Sequence, residues 1–154
     1  MKKYLTIAFI IIFISVILFA VWNVVFCKTY KVENIELNDV NVNHIKKTFC
    51  DFKLPQGAKI EKASKIVSNG ALIYAKVLIP VDKIDEFNNE YQYYKRESLT
   101  NVDFEIFKTT KKAVEWWEID EINADYKINV GAVTSTEFIF CKPKEGLIAV
   151  YMKQ

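Results

Sequence analysis

Apolar and polar residues follow two regimes along this chain of 154 residues. From Leu5 to Phe26 no charge occurs, and only Thr6, Ser15 and Asn23 interrupt the apolar run. Beyond Lys28 apolar residues recur at every second, or every third to fourth, position, the periods of half-buried strands and amphipathic helices.

Wound as an α-helix, the 22 residues of the first regime span about 33 Å, close to the roughly 30 Å hydrocarbon thickness of a bilayer. A core helix apolar on all sides is hard to cover in a chain this short. A cleaved signal has an apolar region of about 7–15 residues and small residues before the cut. Here the run is longer, and Phe19, Val21 and Trp22 are bulky. A lipid-modified Cys27 would follow Phe26, where that processing wants a small side chain. Tyr4 and Trp22 are spaced to sit at the two interfaces that amphipathic rings prefer. The expected organisation is a cytoplasmic tail at 1–4, a transmembrane anchor at 5–26, a juxtamembrane stretch at 27–40 and an extracytoplasmic domain at 41–154. Lys2 and Lys3 are nearly balanced by Lys28 and Lys31, so the orientation rests on the shortness of the tail. Ala8, Ser15 and Ala20 do not form a small-xxx-small pattern, so helix pairing has no support.

Within the domain, Val32, Ile35 and Leu37 alternate only partly, as in a tether or an edge strand. Asn41 or Asn43 is expected to cap a short helix with Ile45, Phe49 and Phe52 on one face. Asn69 and Gly70 suit a type I′ turn joining a strand near 58–67 to one near 71–79. In the second strand Ala71, Ile73, Ala75, Val77 and Ile79 form a wholly apolar face, which places it centrally. Pro80 opens a predicted helix over 81–94 with Ile84, Phe87, Tyr91 and Tyr94 aligned. Alternation at Val102, Phe104 and Ile106 predicts a strand, followed by a helical or irregular piece from Lys111 to Ile119. Tyr126, Ile128, Val130 and Ala132 predict another strand. A final hairpin pairs 137–142 with 147–153 across Pro143, Lys144, Glu145 and Gly146, read as a type I turn with a bulge. The expected fold class is α+β, an antiparallel sheet of about five or six strands with two helices on one face. No internal repeat stands out.

Charge narrows the partners. The net +2 comes from Lys2 and Lys3, because the chain from Lys28 onward carries the remaining 19 basic residues and all 19 acidic ones. That balance excludes the basic footprint of a nucleic-acid binder. Arg96 is the single arginine among 21 basic residues, and the wealth of Lys, Ile and Asn resembles an AT-rich bacterial genome.

Assembled catalytic motifs are missing. There is one histidine, His44, with no Gly-rich phosphate loop, C-x-x-C or H-E-x-x-H, so no catalytic residue, metal or cofactor is assigned. His44 and Cys50 turn apart on one helix and make a poor base and nucleophile. Cys50 and Cys141 can pair in an exported protein, closing a loop worth about 4 kcal/mol, or remain as small core residues. Cys27 reads as a plain residue or an acylation site.

The best candidate surface is Glu115, Trp116, Trp117, Glu118, with Asp120 and Glu121 following. Carboxylates and indole faces suit sugar rings, yet two adjacent tryptophans point apart and at least one is expected in the core. Tyr93 points off the apolar face of its predicted helix and can meet a partner. The expectation is a membrane-anchored envelope protein whose domain binds an envelope protein or glycan without catalysis. A small hydrolase using the carboxylates near Trp116 and Trp117, and an immunity-type inhibitor, are the alternatives.

Overall fold

The structure is a computed structural model describing residues 15–16, 31–67, 71–130 and 136–154. Of the expected anchor only Ser15 and Val16 fall among these. The tail, the rest of the anchor, residues 27–30, the Asn69–Gly70 turn and Ala132 lie outside the described residues. Among the described residues no helix is long and apolar enough to cross a membrane. Lys31–Gln154 forms one compact unit.

Seven strands build its sheet: β1 (Lys31–Asn34), β2 (Lys59–Val67), β3 (Ala71–Pro80), β4 (Arg96–Ser98), β5 (Ala124–Val130), β6 (Thr136–Cys141) and β7 (Leu147–Lys153). Their order is β1-β2-β3-β7-β6-β5-β4, and every neighbouring pair is antiparallel. Three helices accompany them, α1 (Asp39–Thr48), α2 (Ile84–Asn89) and α3 (Asn101–Ala113). The α+β class holds, with seven strands instead of five or six.

The two expected helices, α1 and α2, share one face of the sheet, and a third, α3, where a strand was expected, covers the other. Ile45 of α1, with Phe49 and Phe52 just beyond it, packs with Phe87 of α2 over Ile73, Ala75, Val77, Ile79, Val150 and Met152. Phe107 of α3 packs on the other face with Tyr74, Ile139 and Tyr151. Both faces of the sheet are therefore buried, which is why β6 is buried at every position.

This two-sided cover follows from a repeat in the topology. The order β1-α1-β2-β3 recurs as β4-α3-β5-β6, and β7 lies between the halves. Since β3 and β6 both pair antiparallel with β7, they run parallel to each other. The halves are thus related by a pseudo-two-fold axis along β7, which exchanges the faces of the sheet and sends α1 and α3 to opposite sides. Even the register shifts correspond, between Ile60 and Lys62 in β2 and between Ala124 and Tyr126 in β5.

Four local expectations change. The alternation at Val102, Phe104 and Ile106 belongs to α3, where Val102 and Ile106 face solvent and Asp103, Phe107 and Thr110 are buried. Thr100 decides it through a capping box with Asp103: each side chain satisfies a backbone N–H of the other. The helix predicted over 81–94 is a 3-10 turn, Val81–Lys83, followed by the short α2, after which successive turns carry the chain to β4. Asn88 and Asn89 stand at its end, and asparagine competes with helical backbone bonding. The cap of α1 is Asn38 rather than Asn41 or Asn43, its side chain accepting from the Asn41 amide at 2.9 Å. The last hairpin turns on Glu145 and Gly146, with φ of 53° and 76°, the two-residue type I′ geometry rather than type I with a bulge.

Candidate functional site

After α3 the chain crosses the sheet in an irregular segment that positions the two adjacent tryptophans. The Trp117 amide donates to the Val114 carbonyl at 2.8 Å, closing a turn that drops the Trp117 indole into the core. Trp117 is fully buried, with the rings of Tyr74 and Tyr151 each edge-on at 5.1 Å. Trp116 takes the other direction and remains half-buried. Its Nε1 donates to Ser64 Oγ at 2.9 Å, and Ser64 Oγ donates onward to Asn34 Oδ1 at 2.7 Å. The relay ties the crossing segment to β2 and to the edge strand β1.

Two clefts flank this segment. One, of about 320 Å³, is lined by Lys76, Tyr151, Cys141, Glu118, Lys144 and Glu61. The other, of about 290 Å³, lies between Trp116 and Asn34, Ile35 and Leu37, and Glu61 lines it too. Glu61 is therefore the wall that both clefts share. Lys76 Nζ pairs with Glu61 Oε2 at 2.8 Å, and the same ammonium lies 5.6 Å from the centre of the Tyr151 ring. Only 15% of the Lys76 side chain is exposed, so the ion pair and the ring together offset its lost hydration.

Charges along the larger cleft balance, with Lys76, Lys142 and Lys144 facing Glu61, Glu118 and Glu145. Burial pushes the Cys141 thiol up to about 12, which keeps it protonated and a poor nucleophile. Burial likewise raises Tyr151, whose phenol stays neutral.

Of the residues singled out in the sequence, Trp116 and Glu118 reach this region, one in each cleft. Trp117 supports them from below. Glu115 is exposed, and Tyr93 is 89% exposed and lines neither cleft. Asp120 is occupied structurally, its Oδ1 accepting from the amides of Ile122 and Asn123, both at 2.9 Å. His44 is exposed. The expected bridge between Cys50 and Cys141 is not formed: both are free thiols. Cys50 follows α1, whereas Cys141 belongs to the cluster on the α3 face, so the sheet lies between them. Among the described residues no group of three or more His, Cys, Asp or Glu is placed to hold a metal ion.

Sequence reasoning missed Lys76, Glu61, Ser64 and Tyr151 as parts of one region. One signal was present. Lys76 is the charged position in the otherwise hydrophobic second face of β3, beside Leu72, Tyr74 and Leu78. Comparison with protein-family models, with curated proteins and with solved structures finds no match to this chain.

Proposed function

We propose that the chain is a membrane-anchored envelope protein whose extracytoplasmic domain binds another envelope component, protein or glycan, without catalysing its conversion. The observation that carries the reading is the Glu61–Lys76 pair at the junction of two clefts, with Trp116 as an aromatic wall. A half-buried indole beside a sheltered ion pair offers apolar contact and directed polar groups together, the combination that fixes a bound partner. Lys76 is engaged by Glu61 and the Cys141 thiol is held neutral by burial, which favours recognition over proton or group transfer. Residues 5–26 supply the anchor in this reading.

Photo-crosslinking in intact cells tests the binding reading. A crosslinker at Lys62 or Glu118 should capture a discrete partner, while one at Val102, on the outer face of α3, should not. Equal capture from all three positions sinks the assignment of the clefts. External protease tests the orientation, since a domain that survives while a known surface protein is digested lies inside.

A further inference from the structure

On the opposite face of the sheet, beside α2 and the β4–β5 edge, lies a separate cavity of about 510 Å³. Its polar lining is Asp85, Asn88 and Asn89 of α2, Gln92 and Tyr94 of the turns that follow, and Arg96, the first residue of β4. Two of these side chains are held in place with their donors unused. Asn88 is only 9% exposed, and its Oδ1 accepts the Tyr126 hydroxyl at 3.2 Å. That bond sets the amide orientation and leaves Nδ2 without a partner among the described residues. The Tyr91 hydroxyl, which also lines the cavity, is buried without a partner among the described residues, and buried polar groups are rarely left so. Arg96 lies 4.8 Å over the Tyr126 ring, which in turn stacks on Phe140 at 4.5 Å and 11°. The cation–π contact holds the guanidinium beside the ring, and no carboxylate among the described residues pairs with it, so its fork of N–H groups is available.

We propose that this cavity binds a neutral saccharide. Three amides, one carboxylate and one guanidinium alternate donors with acceptors, which matches vicinal hydroxyls that both give and take hydrogen bonds. Tyr94, 40% exposed at the cavity, offers an aromatic surface for a sugar ring. An anionic ligand would bring its charge beside Asp85. The site does not depend on the clefts of the α3 face, since α2 and the β4–β5 edge pack on the other side of the sheet.

Because Arg96 is the chain's one arginine, it contributes one side-chain Nε–Hε signal to a nitrogen–proton correlation spectrum, a reporter placed at the cavity itself. The full chain, in a zwitterionic detergent without a sugar headgroup, is titrated with chitotetraose, maltotetraose and cellotetraose, and separately with trigalacturonate. The expected result is a saturable shift of the Arg96 signal with at least one neutral tetrasaccharide. By calorimetry, Arg96→Lys should bind that sugar about tenfold more weakly, the scale of one charge-assisted hydrogen bond. Its melting temperature should change little, because lysine keeps a cation beside the Tyr126 ring and Arg96 forms no ion pair among the described residues. A shift with trigalacturonate alone overturns the neutral-sugar assignment. No shift with any probe, or undiminished affinity in Arg96→Lys, overturns the site.

Discussion

Lys127 of β5 reaches Asp103 in the first turn of α3 at 2.6 Å, with 15% and 9% of the two side chains exposed. Asp103 accepts at the same time from the Thr100 amide at 2.8 Å and the Thr100 hydroxyl at 2.7 Å. One carboxylate thus starts the helix and fastens it to the sheet. Glu137 lies 3.7 Å from Lys127 and 2.9 Å from Lys153, extending the charged row across β5, β6 and β7. Asp103→Ala should therefore destabilise the domain by about 3 kcal/mol, because it removes a cap and takes from the sheltered Lys127 ammonium its nearest carboxylate, leaving only Glu137 at 3.7 Å. Thr100→Ala should cost about 1 kcal/mol. Urea midpoints measure both, and equal losses would show that the Lys127 bond adds nothing.

The same pair sets an acid limb of stability. Burial pushes the Asp103 carboxyl up, but hydrogen bonds from Lys127 and Thr100 outweigh it and hold the group below its usual range. Its folded pKa is depressed, so the stability it confers is present above the unfolded value of about 3.9 and is lost as pH falls through the folded value. Asp103→Asn should flatten that limb in a pH series of urea midpoints. An unchanged acid slope would remove Asp103 from the account.

The two tryptophans should separate in stability. Trp117→Ala empties the space between Tyr74 and Tyr151 and should cost about 4 kcal/mol. Trp116→Phe keeps a ring but deletes the donor to Ser64, and should cost about 1 kcal/mol. Thermal melting ranks them, and comparable losses would contradict their different burial.

At the last hairpin Glu145 holds a φ of 53°, a left-handed conformation that side chains with a Cβ resist. Asparagine tolerates it far better and is favoured in type I′ turns. Glu145→Asn should raise stability by about 0.5–1 kcal/mol, seen as a higher melting temperature. A fall would mean that the Glu145 side chain makes a contact of greater value.

Thiol reactivity should divide by burial. Iodoacetamide at pH 9 should alkylate Cys50 in the native chain and spare Cys141, whose thiol is buried and pushed up to about 12. Peptide mass spectrometry reads the two sites separately. Rapid labelling of Cys141 without denaturant would show that the α3 face opens.

Much of the sheet was legible from local pattern. β2, β3, β5, β6 and β7 all fall where alternation or turn residues place a strand, because a strand with an inward face must alternate whatever its partners are. β4 escaped because three residues carry no period, and its identity comes only from pairing with Tyr126, Lys127 and Ile128. Residues 102–106 were misleading, since Val102 and Ile106 are apolar yet exposed, and one cap outweighed their alternation. The repeat about β7 stayed hidden because the two halves share an order of elements and register shifts without sharing residues.

The candidate surface divides in the same way. That two adjacent tryptophans point apart follows from covalent geometry, so the expectation that at least one enters the core could be read from the chain. Which one enters, and that Trp116 would meet Ser64, which lies 52 positions away, depended on how the sheet folds. Periodicity, turn residues and the uncharged run at 5–26 are properties of neighbours along the chain, and they carried the α+β class and the expectation of an anchor. The faces chosen by α1 and α3, the separation of Cys50 from Cys141, and the meeting of Glu61, Lys76 and Tyr151 are settled by contacts between distant segments, whose energies no local pattern records.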